Sequence, residues 1–335
     1  MKKSTFGVLI VFGFALAAMI GAQFLPPGAA SKSAEPTLLR IEKGATASEV
    51  ASLLYNEKLI RSSLAFRILL KISGSDTKLE AGTYVIKRGT GPAAIARKLA
   101  SGDTLKIPVT IPEGSTSRMI ADSLQKAGVC ASSEFLAAAR DPSILARLGV
   151  PGATAEGFLY PDTYVFAGKT DAASIVETMT RNFFEKLAAI APEGGKDSAA
   201  LRDAVTLASI VEREYRVAAE AGLIASVFKN RLSIGMGLQS CATIAYIITE
   251  RQGKPHPSVI KYEDLAIKDP YNTYRWRGLP PGPISNPGRT ALDAVFNGPK
   301  TDYLYFRLVD EEAGKHRFSK TFEEHTGETL SVKSF

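Results

Sequence analysis

Two glutamates close an apolar, helix-forming stretch, TLASIVEREYR, at residues 206–216. A carboxyl group among apolar side chains resists ionisation, so its pKa rises, and a general acid needs a raised pKa to work near neutral pH. With a helical rotation of about 100° per residue, Glu212 falls on an apolar helix face. Glu214 falls on a different face, which also contains Asp203 and should be more exposed to solvent. The geometry favours Glu212 as the acid, although a buried glutamate that only satisfies backbone or arginine donors would show the same pattern.

A long loop further along the chain, DPYNTYRWRGLPPGPISNPG at residues 269–288, combines aromatic and polar side chains. Its prolines and glycines exclude regular structure, and long loops within compact domains commonly have a function. Flat aromatic faces beside amide and hydroxyl groups suit a sugar-binding groove, with a rigid structural loop as the alternative. The candidates are Tyr271, Asn272, Tyr274, Trp276 and Ser285.

A second aromatic cluster, EGFLYPDTYVF at residues 156–166, contains two more carboxylates. Asp162 is typical of a turn or cap residue, while Glu156 stays a candidate for the site.

Cys130 and Cys241 have no CxxC spacing, and we expect two unrelated buried thiols rather than a bridge. The three histidines form no HExxH or HxH pair, so the sequence predicts no metal site.

The elements that must position these groups show a partial repeat. Residues 40–66 and 110–135 share equivalent Ile, Gly, Thr, Ala and Leu positions. Each copy predicts a short strand, a glycine turn and a helix capped by Thr46 or Thr116, and a strand containing Thr-Tyr-Val follows. Alternating strands and helices on this scale indicate an α+β fold.

The first copy, within residues 38–103, resembles the LysM type of module, which binds N-acetylated glycan chains. The alternative is a duplicated packing unit with no ligand. We place the mixed α+β catalytic domain at residues 104–330, after this small α/β module.

The amino terminus predicts a membrane anchor over residues 1–28. Lys2 and Lys3 precede an apolar stretch of about 20 residues, enough to cross a bilayer as a helix. The lysines should stay in the cytoplasm, so a single-pass protein of the cytoplasmic membrane would place the rest of the chain outside, in the periplasm. A cleaved signal peptide is the alternative. Residues 29–37 are typical of a flexible linker.

The composition is that of a folded, moderately basic protein. Hydrophobic residues make up 45% and the formal net charge is +7, which suits an anionic partner such as a membrane or a polyanionic envelope. Because no Lys/Arg run is interleaved with aromatic residues, nucleic acid is not an expected partner.

Seven motifs, in order, resemble those of the YceG-like endolytic murein transglycosylases, over roughly residues 38–326. They are EGFLYPDTY, TLASIVEREY, FKNRLSIGMGLQS, PYNTY, GLPPGPISNPG, DYLYF and HRFSKTFEEH. The resemblance implies that Glu212 is the catalytic residue and that Gln239 and the segment Tyr271, Asn272, Thr273 and Tyr274 line the substrate groove. It also implies a carbon–oxygen lyase without metal or redox cofactor. Peptidoglycan strands would be its substrate, and peptidoglycan synthases (penicillin-binding proteins) its partners.

One position departs from the family pattern. Many members have Asp-Pro after the LQ(S/T) turn, where this chain has Cys241 and Ala242. If that aspartate orients the substrate or Glu212, then Asp269 and Glu214 are the candidates to replace it.

Two other functions remain open from the sequence. A lysozyme-like hydrolase would pair Glu212 with a second carboxylate, from Glu214, Glu156 or Asp162. A membrane-anchored scaffold would bind cell wall through the repeated modules without cleaving it.

Overall fold

The computed structural model describes residues 21–27, 36–195 and 197–327. Its fold is mixed α+β, as predicted, and the strands within these ranges form three two-stranded sheets. The predicted anchor and linker fall largely outside the described residues and stay predictions. Within the described ranges, no helix is both long and apolar enough to cross a membrane.

The strands are β1 (Thr37–Ile41), β2 (Gly82–Ile86), β3 (Lys106–Thr110), β4 (Thr163–Ala167), β5 (Tyr305–Asp310) and β6 (Lys315–Ser319). The α-helices of the described residues are α1 (Ala47–Asn56), α2 (Ser63–Ile72), α3 (Pro92–Ala100), α4 (Ser117–Lys126), α5 (Ser132–Ala138), α6 (Pro142–Leu148), α7 (Ala172–Ile190), α8 (Ser198–Val211), α9 (Ala221–Ser233), α10 (Cys241–Tyr246), α11 (Arg289–Asn297) and α12 (Phe322–Gly327). Short 3-10 or π turns occupy Ala218–Glu220, Ile247–Arg251 and Tyr262–Ala266.

The described residues divide into two compact units. The first contains the chain up to Ile107 together with Val165–Thr170. In it β1 pairs antiparallel with β2, and α1, α2 and α3 supply most of the apolar core. The large buried side chains of this core are Leu39, Leu54, Phe66, Leu70, Tyr84, Ile86, Ile95 and Leu99.

The second unit contains Pro108–Tyr164 and the chain from Asp171 onward. Its first helix, α4, begins after Thr116, whose hydroxyl accepts the Met119 N–H, just as the Thr46 hydroxyl accepts the Glu49 N–H before α1. Both predicted caps are therefore confirmed. The two predicted glycine turns are present as well, because Gly44 and Gly114 have φ values of 83° and 73°, which glycine adopts without strain.

Helix α8 belongs to the second unit and packs against α9 and α11. Asp197 caps it by accepting the N–H groups of Ala199 and Ala200. Every residue from Val205 to Val211 is buried, so the last two turns have no wet face. Such a helix end is held on all sides, and the residues that follow it have a fixed starting position.

Candidate active site

Glu212 directly follows Val211, the last residue of α8. Its N–H still bonds to the Ala208 carbonyl, at 2.8 Å, while its partly buried side chain leaves the helix. One carboxyl oxygen, Oε1, accepts the Tyr215 hydroxyl at 3.2 Å, and the other, Oε2, accepts the Gly288 N–H at 2.9 Å. Both oxygens are thus oriented by neutral donors from nearby backbone and side chain.

Burial raises the pKa of Glu212 to about 7. The negative charge of Glu113 raises this pKa further, while the Gly288 N–H, the Tyr215 hydroxyl and the Arg213 cation act against the rise. The predicted direction is confirmed. Near neutral pH, the carboxyl can therefore both hold a proton and release one, which is the property of a group that serves as acid and base.

Two short segments, residues 113–117 and 284–288, cover the end of α8. They bond to each other through the Gly114 N–H to the Asn286 carbonyl, at 3.0 Å, and the Asn286 N–H to the Ser115 carbonyl, at 2.9 Å. The second segment is bound to α8 through Ser209, which accepts the Ile284 N–H and the Ser285 hydroxyl. These contacts place the Gly288 N–H against Glu212.

Glu113 lies directly against Gly288. A Cβ atom built on Gly288 would come within 2.1 Å of the Glu113 Cδ, so a larger residue there would force the carboxylate aside. Glu113 itself is exposed to solvent. The structure thus brings a second, solvent-facing carboxylate beside Glu212, which the sequence did not single out.

Asn286 is the central hydrogen-bonding residue of the covering segments, and its side chain is fully buried. Its Oδ1 accepts the N–H groups of Gly157 and Leu159, at 2.8 and 2.9 Å. Its Nδ2 donates to the Ser115 carbonyl at 3.0 Å and to Glu156 Oε1 at 2.9 Å. Asn286 was not among the predicted site residues, because its only sequence signal is an asparagine before the last proline of the long loop.

Glu156, a predicted site residue, is 7% exposed and holds the start of α4. Its two oxygens accept the Ser117 N–H at 3.0 and 3.1 Å, and Oε1 also accepts Asn286. Burial raises the pKa of Glu156 to about 8. Its visible role is to connect α4 to Asn286, one step removed from Glu212.

Glu214 does not lie in the wetter environment that helical projection predicts. Its carboxyl accepts the Ser240 hydroxyl and the Ala242 N–H, and burial raises its pKa. The prediction was wrong because the end of α8 is buried on every side, including Leu207 and Ile210, which share the face predicted for Glu214. Glu214 holds the turn before α10, whereas Glu212 faces the covering segments.

That same turn contains the predicted residue Gln239, which is exposed and has a left-handed φ of 52°. Its N–H donates to the Thr273 carbonyl at 3.2 Å. Thr273 is buried, and its hydroxyl accepts the Ser240 N–H at 3.0 Å. The turn and the 271–274 segment are therefore adjacent, and Gln239 presents its side chain to solvent.

Asn272 and Ser285, both predicted to bind substrate, are fully buried. Asn272 Nδ2 donates to the carbonyls of Leu265 and Ile267, and its Oδ1 accepts the Tyr274 N–H. The Ser285 hydroxyl donates to Ser209. Asn272 therefore stabilises the loop itself and Ser285 binds the loop to α8, which is the structural alternative that the loop composition left open.

The aromatic residues of the loop are more accessible. Tyr271 is half-buried, with its ring centroid 5.1 Å from that of Tyr246 and 5.1 Å from the Arg251 guanidinium carbon. Trp276 is 52% exposed. The Tyr274 hydroxyl lies 3.0 Å from Cys241 Sγ.

The two candidates to replace the family's aspartate have different partners. Asp269 forms an ion pair with Arg251 at 2.6 Å and accepts the Tyr271 N–H at 2.9 Å. Glu214 instead bonds within the Ser240–Ala242 turn. Of the two, Glu214 is the carboxylate that contacts the segment 241–242, where this chain departs from the family pattern.

Both cysteines are free thiols; Cys130 is buried, but Cys241 is exposed, contrary to the expectation of two buried thiols. Among residues 21–27, 36–195 and 197–327, no group of three or more His, Cys, Asp or Glu side chains is arranged to hold a metal ion.

Two relatives that match most of this chain have the same name. A Bacillus subtilis protein named endolytic murein transglycosylase is 32% identical over 303 residues, which are 86% of this chain and 82% of that protein. A Streptococcus pneumoniae protein of the same name is 30% identical over 85% of this chain, and the match spans 56% of its own length.

The fold is also found in a crystal structure. A yceG-like protein from Listeria monocytogenes is 33% identical and superposes with a TM-score of 0.59, covering 88% of this chain and 99% of that one. Residues 39–329 match the model of the YceG-like family. With that match over most of its length, the chain belongs to the YceG-like family.

Proposed function

We propose that this protein is an endolytic murein transglycosylase, with Glu212 as its acid and base. It would cleave the β-1,4 bond between N-acetylmuramic acid and N-acetylglucosamine in nascent strands and leave 1,6-anhydro ends. The observation that carries the proposal is the partly buried Glu212 carboxyl, whose pKa is about 7. The names of the curated relatives support the same reaction.

The proposed mechanism needs one carboxyl group. Glu212 gives its proton to the glycosidic oxygen as the bond to the anomeric carbon breaks. The carboxylate then takes the proton of the C6 hydroxyl, whose oxygen forms the new bond to the same anomeric carbon. Because the nucleophile belongs to the sugar that is being cleaved, proximity favours this step over attack by water.

Mass analysis of the products tests the reaction type. We expect purified murein strands treated with the full chain to yield muramic acid ends that are one water molecule lighter than reducing ends. Reducing ends would instead establish a hydrolase, and intact strands would favour a non-enzymatic scaffold.

One observation favours the hydrolase as a second candidate, namely the position of Glu113. A glycoside hydrolase of the common kind uses two carboxylates that flank the bond. Glu113 is solvent-facing and close enough to Glu212 for its charge to raise the pKa of that carboxyl. It is therefore a better second carboxylate than Glu214 or Glu156, whose oxygens bind backbone.

The Glu113→Gln variant separates the two functions through the pH profile. For the transglycosylase, kcat/KM should fall as pH rises through about 7, because Glu212 loses the proton that it must donate. Removing the negative charge of Glu113 lets Glu212 ionise more easily, so the pKa of Glu212 should fall. The alkaline limb of the kcat/KM profile should then move to lower pH, with little loss of kcat/KM at the optimum. A loss of about a hundredfold at every pH would identify Glu113 as a second catalytic carboxylate. Glu134→Gln, a charge removed elsewhere, is the control.

We further propose that residues 38–103 bind glycan, as a LysM-like module would. The supporting observations are the order β1, α1, α2, β2 and an open pocket formed by the β1–α1 turn and one side of α1, lined by residues that include Arg40, Lys43 and Leu53. The full chain should bind purified murein less tightly when Leu53 is changed to Asp in a Glu212→Gln background, which prevents cleavage. Unchanged binding would contradict the proposal.

Membrane anchoring and association with peptidoglycan synthases stay predictions.

A further inference from the structure

An open groove of about 490 Å³ lies in the second unit beside the candidate acid. The first turn of α4 lines it with Arg118 and Met119, and Tyr246, Lys254 and Ile284 also contribute to its lining. Arg213 lines it as well. A cavity of this size is in the range that holds a drug-sized ligand.

A residue next to Glu212 also lines the groove. Arg213 follows Glu212 directly, and its guanidinium donates to the Gly114 carbonyl at 3.1 Å. A Cβ atom built on Gly114 would lie 3.5 Å from the Arg213 Cδ and also 3.5 Å from the Glu212 Cγ. Gly114 therefore adjoins both the candidate acid and a residue that lines the groove.

The groove is positively charged. Arg118, Arg213 and Lys254 line it, and its acidic lining residue, Glu250, already accepts the Arg118 Nε at 3.1 Å and the Thr116 hydroxyl at 3.0 Å. With Glu250 neutralised in this way, Arg213 and Lys254 give the groove an excess of positive charge. Cations beside a partly apolar wall suit an anion that carries small apolar groups.

We propose that the groove binds the peptide substituent of a murein strand, with a carboxylate of the peptide at Arg213 and Lys254. The methyl groups of its small residues would contact Met119, which is 49% exposed. Muramic acid, the sugar whose anomeric bond is cleaved, carries this peptide, so its position fits a groove that is lined by the residue after Glu212. The inference rests on the proposed function and adds a specificity determinant to it: strands that carry peptides are cleaved in preference to bare glycan.

Two substrates and two charge reversals test the inference. Three proteins are assayed: the wild type, Lys254→Glu and Lys126→Glu. Each is given murein strands with intact peptides and strands from which an amidase has removed the peptides. Lys254 is exposed and lies in the groove, whereas Lys126 is exposed at the end of α4 and does not line it. We expect the wild type to favour peptide-bearing strands, and Lys254→Glu to lower that preference about tenfold, mainly through KM, because an attractive charge becomes a repulsive one. Lys126→Glu should keep the wild-type preference.

The possible failures differ from one another. Equal kcat/KM of the wild type for both substrates, or an equal loss of preference in both variants, would overturn the peptide site while anhydro ends from bare strands still supported the transglycosylase. Cleavage of neither substrate by the wild type would overturn the proposed function and the peptide site together.

Discussion

Changing Glu212 to glutamine should reduce the release of anhydro-ended fragments from purified murein by about a thousandfold. General acid–base catalysis by a positioned carboxyl commonly contributes 10²- to 10⁴-fold, and in the proposed mechanism one carboxyl performs both proton transfers. A glutamine oxygen can still accept the Gly288 N–H or the Tyr215 hydroxyl, but the amide has no proton to donate as an acid. The fold should survive, so the thermal unfolding temperature should stay close to that of the wild type.

Glu214→Gln is the matched control, because it makes the same chemical change two residues further along the chain. The Glu214 carboxyl accepts the Ser240 hydroxyl and the Ala242 N–H, and a glutamine oxygen can keep one of these contacts. We expect a reduction well below that of Glu212→Gln. Equal solubilisation of murein by Glu212→Gln and the wild type would remove the assignment of the acid, and a larger loss in Glu214→Gln would move it to position 214.

Changing Asn286 to alanine should lower the free energy of unfolding by about 3–5 kcal/mol. A buried polar group left without its partner costs about 1–3 kcal/mol, and this change affects several at once. The N–H groups of Gly157 and Leu159 lose their acceptor, and the Ser115 carbonyl and Glu156 lose a donor. Urea unfolding of the full chain measures the loss. Activity should fall as well, because the segment that presents the Gly288 N–H is no longer held.

Asn182→Ala is the control for the loss of an asparagine side chain. Asn182 is half-buried and donates to Asp162 Oδ2 and to the Tyr164 hydroxyl, both at 3.0 Å, and water can replace a donor at such a position. Its free energy of unfolding should change by about 1 kcal/mol. If the two variants lost similar stability, Asn286 would not be the central residue of the covering segments.

Local sequence signals predicted the local structure well. Thr46 and Thr116 precede their helices by one position, and a capping hydroxyl needs only N–H groups two or three residues away. The glycine turns before them depend on the conformation of a single residue. The direction of the change in the Glu212 pKa also agreed with the apolar residues before it, although segments from elsewhere in the chain complete its burial.

Contacts between distant segments were not predictable from one sequence. Asn286 and Ser115 are 171 residues apart, and neither carries a pattern that points to the other. Asn272 was assigned to the substrate because an asparagine beside aromatic residues suits a sugar, yet its amide is used to hold its own loop. Glu113 was missed because an exposed glutamate next to a glycine is typical of any surface turn.

Helix α8 directs its macrodipole at the carboxyl that follows it. The aligned peptide dipoles of a helix act like about half a negative elementary charge at its carboxyl end, which disfavours an anion there by about 0.3–1 kcal/mol. Glu212 stands at this negative pole, so backbone dipoles as well as burial favour its neutral form. A substitution that let α8 continue for another turn would move the carboxyl away from the pole. With its Tyr215 and Gly288 contacts unchanged, Glu212 would then give up its proton at a lower pH.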